Sequence, residues 1–184
     1  MPNECLMINN GPESNNTSAG GAPIFLVGFM GAGKTTVGRA LARQLGWDFF
    51  DLDVLIETQA GRSVSAIFAD SGEPEFRRLE REALQSCGEL VRTVIALGGG
   101  AYVPEENRTF LRLIGKTVWL DCPLEVCLRR IGGDRSRPLL GGDDEMRALF
   151  EHRSSAYAQA DFAVQAGNHS PELLAIEITK LLGR

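Results

Sequence analysis

Gly28-Phe29-Met30-Gly31-Ala32-Gly33-Lys34-Thr35 satisfies the spacing G-x-x-x-x-G-K-[ST] at every fixed position, the pattern of a Walker A phosphate loop. Its flanks supply the context the motif needs. Pro23-Ile24-Phe25-Leu26-Val27 is a short apolar run rich in β-branched and aromatic residues, and residues 36–45 carry apolar side chains at helical spacing. Strand, loop and helix therefore follow in order. Glycines let the backbone turn tightly and aim successive N–H groups into one concavity, where the positive end of the helix favours an anion. Lys34 would reach the β and γ phosphates, the Thr35 hydroxyl would ligate Mg²⁺, and Gly31, Ala32, Gly33 and Thr36 would complete the nucleotide cradle.

The rest of the chain alternates strand and helix signals. Gly46 ends the first helix, and residues 47–50 lead into Asp51-Leu52-Asp53 at the expected end of a second strand, where positions two apart share a face. Helix is expected from Val54 to Gln59, then after Ser63 through Ala69, and again from Glu75 to Cys87 with Phe76, Leu79, Ala83 and Leu84 buried. Residues 93–97 read as a central strand running into Gly98-Gly99-Gly100, and residues 104–114 as helix. Residues 116–120 form a fourth strand, residues 123–131 a helix, and a further helix begins near Glu145. A last strand over 161–164 precedes a helix from Ser170-Pro171, with Leu174, Ile178, Leu181 and Leu182 on one face. Such alternation implies a parallel sheet with helices on both sides, whose ligands sit beyond the carboxyl ends of the strands. The phosphate loop, Asp51-Leu52-Asp53 and the triple glycine all fall at those ends.

Several of these features carry two readings. Asp51 or Asp53 can simply cap the helix that follows; alternatively Asp51 holds Mg²⁺ and Asp53 accepts a proton from an acceptor hydroxyl. The triple glycine is either a sharp turn or a place where backbone N–H groups approach a ligand. Glu75-Phe76-Arg77-Arg78-Leu79-Glu80 places opposite charges at helical spacing, as do Glu73 with Arg77 and Arg78 with Glu82, which suits a solvated face. Residues 132–142, with paired glycines at both ends and Arg137 inside, are either a linker or a flap that brings Arg137 onto phosphates and excludes water.

With 184 residues, 43% hydrophobic and 23% charged, the chain suits one globular domain over 23–184. A net charge of −5 argues against nucleic acid as the partner. Residues 1–22 are rich in Asn, Gly and Ser without a basic residue, so a disordered tail rather than a leader is expected. Cys5, Cys87, Cys122 and Cys127 show no metal-binding spacing and read as reduced thiols of a cytoplasmic protein. No apolar run approaches the roughly 20 residues that cross a bilayer.

Taken together, the motifs at 28–38, 51–53, 75–80 and 98–101, with Arg137-Pro138-Leu139-Leu140, resemble the shikimate kinase family, a branch of the nucleoside monophosphate kinase-like P-loop proteins. The ordered set spans nearly everything after residue 22. The resemblance implies a three-layer P-loop fold with a five-stranded parallel sheet in the order 2-3-1-4-5 and a mobile lid. It further implies transfer of the ATP γ-phosphoryl group to the 3-hydroxyl of shikimate with Mg²⁺, a step towards chorismate and the aromatic amino acids; a monomer is expected. By the same carry-over Asp53 holds the ring hydroxyls, Arg77 and Arg153 bind the carboxylate, Glu80 orients Arg77, and Gly98, Gly99 and Gly100 line the substrate. Thr35 and Asp51 match the metal positions, Arg130 a residue beside adenine, and Arg137 the lid arginine; catalysis falls to Lys34, Asp53 and Arg137. The surroundings of His169 diverge and receive no role. A kinase for another small polyol acid such as gluconate, and a regulatory P-loop protein, are the alternative expectations.

Overall fold

The apolar run at 24–27 becomes the middle of a sheet because neither of its faces meets water: all four residues of strand β1 (Ile24–Val27) are buried. The computed structural model describes residues 21–132 and 143–184. After β1 come helix α1 (Lys34–Leu45), β2 (Asp48–Asp51), α2 (Leu52–Ala60), α3 (Val64–Ser86) and a 3₁₀ turn (Cys87–Glu89). They are followed by β3 (Thr93–Ala96), α4 (Glu105–Ile114), β4 (Lys116–Asp121), α5 (Leu124–Ile131), α6 (Asp143–Tyr157), β5 (Phe162–Gln165) and α7 (Pro171–Leu181).

The five strands are parallel in the order β2-β3-β1-β4-β5, as expected. Leu26 pairs with Ala96 and Val118, and Asp51 with Ala96, so the carboxyl ends of β1, β2 and β3 open onto one edge. Helices cover both faces. Gln44 of α1 donates to Thr179 Oγ1 of α7 at 2.8 Å. At the far side of the sheet Asp161 joins β4 to β5: its Oδ2 accepts from Thr117 N and Thr117 Oγ1, both at 2.8 Å, which satisfies a fully buried threonine.

Local chemistry sets most boundaries. Ser63 and Ser170 cap α3 and α7 by accepting from Ala66 N and Leu173 N, and Gly46 closes α1 in a left-handed conformation. Pro104 and Pro123 stand just before α4 and α5 rather than inside them. Gly72, with φ 76° and ψ 177°, breaks α3, so the separate helices expected on either side of it are two arms of one kinked element. Two expectations are corrected. Asp51-Leu52-Asp53 does not continue as strand: Asp51 ends β2 and caps α2, accepting from Asp53 N at 3.1 Å, which puts Asp53 in the first helical turn. Leu181 does not share the buried face of Leu174 and Ile178; it is exposed.

Cys87, Cys122 and Cys127 are buried free thiols, and burial pushes Cys87 and Cys127 up to about 11 and about 12, where thiolate is scarce. Among the described residues no helix is long and apolar enough to cross a membrane. Cys5 and most of the expected tail lie outside the described residues; Gly21, near its end, accepts from Arg92 N at 2.7 Å.

Candidate active site

The phosphate loop is shaped by its glycines. Gly31 and Gly33 take φ of 77° and 96°, and a Cβ on Gly31 would lie 2.7 Å from Cys127 O, so a side chain there would be both strained and blocked. Gly33 starts α1 with no side-chain cap, which leaves the first amides of the helix directed at the cleft. Lys34 folds its ammonium onto the loop, donating to Gly28 O at 2.9 Å and Phe29 O at 3.0 Å. Thr35 Oγ1 donates to Asp51 Oδ2 at 2.7 Å, which joins the two residues expected to hold metal. Asp51 therefore caps α2 with one oxygen and faces Thr35 with the other. Arg130 Nη1 donates to Gly31 O at 3.2 Å and to Ala32 O at 3.4 Å, while Nη2 donates to Gly167 O at 3.2 Å, which fastens the loop to the segment after β5.

A cleft of about 280 Å³ joins this loop to the triple glycine, lined by Gly31, Gly33, Lys34, Thr35, Thr36, Asp51, Asp53, Gly98, Gly99 and Arg130 among others. Each glycine of the triplet is backed by a different charged side chain. A Cβ on Gly98 would lie 2.7 Å from Asp53 Oδ1, one on Gly99 3.1 Å from Arg153 Nη1, and one on Gly100 2.7 Å from both terminal nitrogens of Arg77. The turn is therefore bare because three charged groups converge on it. The Tyr157 hydroxyl donates to Gly99 O, and buried Asn107 holds the following turn by donating to Ala101 O at 2.8 Å. Arg77 and Arg153 do not line the cleft itself; they reach it past Gly100 and Gly99.

Of the two adjacent arginines on α3, only Arg78 fits the solvated-face reading, pairing with Glu75 and Glu82 in solvent. Arg77 turns inward, where Glu80 Oε2 accepts from Nη1 at 2.7 Å and Glu73 Oε1 from Nη2 at 3.1 Å. Burial works against the Arg77 cation, but Glu80 and Glu73 more than offset it and raise its pKa. Glu80 is 1% exposed; burial raises its pKa, Arg77 opposes the rise, and Asp53 adds to it. Glu80 Oε1, facing Gly98, has no hydrogen-bond partner among the described residues. Arg153, 7% exposed, lies over the Phe29 ring at 6.0 Å, with no carboxylate at ion-pair distance among the described residues. Beside it, burial raises the Tyr157 phenol well above its ordinary range, against the pull of Arg153.

Of the residues singled out in the sequence, Gly31, Ala32, Gly33, Lys34, Thr35, Thr36, Asp51, Asp53, Gly98, Gly99, Gly100, Arg77, Arg130 and Arg153 come together around this cleft or directly behind it. Arg137, and residues 133–142 of the expected flap, lie outside the described residues. Tyr157, Asn107 and Phe29 were missed as supports of the site. Tyr157 acts on a glycine 58 positions away, a separation over which no local pattern carries information.

A phosphate loop opening a helix whose first turn meets a carboxylate at the end of the edge strand β2, in a parallel sheet of this order, defines a P-loop kinase of the small-molecule type. Known proteins narrow the class. The model of the family described as shikimate kinase matches residues 30–182. The shikimate kinase of Geobacter sulfurreducens is 44% identical over 171 residues, covering 91% of this chain and 94% of that protein. A solved shikimate kinase from Acinetobacter baumannii in complex with shikimate superposes with a TM-score of 0.84 at 38% identity, over 88% of this chain and 93% of that one. The Aquifex aeolicus enzyme gives 0.80 at 40% identity, over 88% and 96%. The chain belongs to the shikimate kinase family.

Proposed function

We propose that the chain transfers the γ-phosphoryl group of ATP to the 3-hydroxyl of shikimate, giving shikimate 3-phosphate and ADP. The observation that carries this reading is the fan of Asp53, Arg153 and Arg77 behind Gly98, Gly99 and Gly100. A buried guanidinium is costly without an anion. Arg153 has no carboxylate partner among the described residues, and an acceptor carboxylate supplies one. Two guanidinium groups can fix the plane of that carboxylate and so select one hydroxyl of the ring.

In this reading the loop amides and Lys34 hold the triphosphate, with the ammonium exchanging its carbonyl partners for phosphate oxygens. Asp53 takes the proton of the acceptor hydroxyl as its oxygen bonds to the γ phosphorus and the bond from that phosphorus to the β-bridging oxygen breaks. The Thr35 hydroxyl and Asp51 carboxylate, 2.7 Å apart, are a pair of hard oxygen donors suited to Mg²⁺. Bound there, Mg²⁺ would supply charge neutralisation on the phosphates. Glu80 keeps the Arg77 fork aimed at Gly100; Arg130 is assigned to the base end of the nucleotide on the family resemblance. Arg137 is assigned to the phosphates on the family resemblance alone.

The test is ADP release from ATP and Mg²⁺ with shikimate, gluconate, a nucleoside monophosphate, or no acceptor. Release that depends on shikimate is expected. Release with gluconate instead, or slow hydrolysis indifferent to every acceptor, would overturn the reading.

A further inference from the structure

We propose that Phe29, a position the Walker A pattern leaves unspecified, is a positioning residue that holds Arg153 for the acceptor carboxylate and couples that grip to nucleotide occupancy. The inference rests on the acceptor role of Arg153 given above. Phe29 is 2% exposed, and its ring has one charged and one aromatic neighbour. Its face lies 6.0 Å from Arg153 Cζ, and its contact with the Phe150 ring is edge-on, with centroids 5.2 Å apart and planes at 77°. Phe150 and Arg153 are three positions apart on α6, so one helix face clamps the ring from both neighbours.

The ring quadrupole offsets part of the cost of a buried guanidinium that has no carboxylate at ion-pair distance among the described residues. The backbone of the same residue belongs to the phosphate site: Phe29 O accepts from Lys34 Nζ at 3.0 Å and from Ala32 N at 3.1 Å. A phosphate that draws the ammonium away loosens its hold on that carbonyl. A change of tilt at residue 29 then reaches the guanidinium through the clamped ring. Binding linkage is reciprocal, so the acceptor must influence the nucleotide by the same factor.

A van der Waals filler at this position would show no such coupling, and that is what the experiment separates. Shikimate is titrated into the full chain by calorimetry with and without a non-hydrolysable ATP analogue and Mg²⁺, for the wild type, Phe29→Met and Phe29→Tyr. In the wild type the analogue should change shikimate affinity by at least about threefold, and shikimate should change analogue affinity equally. Phe29→Met keeps the bulk and loses the quadrupole; shikimate alone should bind about fivefold more weakly and the coupling should vanish, with analogue affinity alone within about twofold. Phe29→Tyr should retain the coupling. Should either variant fail to fold, Phe150→Leu removes the aromatic contact that holds the ring and should reduce the coupling while shikimate alone binds within about twofold of wild type. Coupling that survives in Phe29→Met or Phe150→Leu, equal weakening of both ligands, or independent binding in the wild type overturns the inference. A wild type that binds no shikimate overturns the acceptor reading as well, whereas binding without coupling overturns this inference alone.

Discussion

The two halves of the cleft are built by opposite means. The phosphate half is one contiguous octapeptide whose chemistry is mostly backbone: glycines in left-handed conformations, uncapped amides of α1, and one ammonium resting on two carbonyls of its own loop. The acceptor half gathers Asp53 from α2, Arg77 and Glu80 from α3, the triple glycine after β3 and Arg153 from α6. Its chemistry is side-chain charge, partly buried and held by other charges. A backbone cradle recognises a group common to all nucleoside triphosphates, whereas a fan of side chains can be retuned to one small molecule without altering the cradle. Substitutions of charged side chains should accordingly separate the halves: loss of the Lys34 charge acts on turnover, and loss of the arginine grip acts on acceptor affinity.

The largest effect is expected at Lys34. Lys34→Met keeps most of the bulk and deletes the charge aimed at the transferred group, so turnover should fall on the order of a thousandfold or more while the thermal transition stays near wild type. Steady-state ADP release with a melting curve reads both, and near-normal turnover would remove the phosphate half of the comparison. Arg77→Lys comes next, because an ammonium cannot reproduce a fork already paired to Glu80 and Glu73. Shikimate should bind roughly thirtyfold more weakly, about 2 kcal/mol, with ATP affinity little changed. Equal loss of both ligands in a calorimetric titration would mean that the halves are not separable.

Gly100→Ala sharpens the same point without touching a charged residue. Its methyl would lie 2.7 Å from both terminal nitrogens of Arg77, so the guanidinium must move. A loss of about tenfold in shikimate affinity is expected, about 1.4 kcal/mol, again sparing ATP. The smallest effect belongs to Arg78→Ala, one position from Arg77 but paired in solvent with Glu75 and Glu82. Both affinities should stay within about twofold of wild type, and a larger change would show that α3 presents a different face to the cleft.

The same contrast explains what could be read before the structure. The phosphate loop was legible because its determinants are adjacent in sequence, and the helix starts at Ser63 and Ser170 because a cap is a local hydrogen bond. Asp53 was misplaced by one element, since the carboxylate of Asp51 that ends β2 also starts α2 on the next residue. Arg77 and Arg78 could not be told apart by helical spacing, which gives a face and not what lies beneath it; the family resemblance, not the periodicity, assigned Arg77 to the substrate. Glu80 as a buried charge, the Tyr157 hydroxyl on Gly99 and the Phe29 ring beneath Arg153 arise only when distant elements pack.

In the proposed function, buried Arg153 and half-buried Arg77 behind the triple glycine hold the acceptor carboxylate. Binding of shikimate and of its neutral methyl ester to the wild-type chain, measured side by side by calorimetry in the presence of an ATP analogue and Mg²⁺, tests it most directly. The two ligands share the ring and all three hydroxyls and differ in one charge. The ester is expected to bind on the order of a hundredfold more weakly, about 2.7 kcal/mol, for loss of charge-assisted hydrogen bonds to two guanidinium groups. Equal affinity for acid and ester would contradict it.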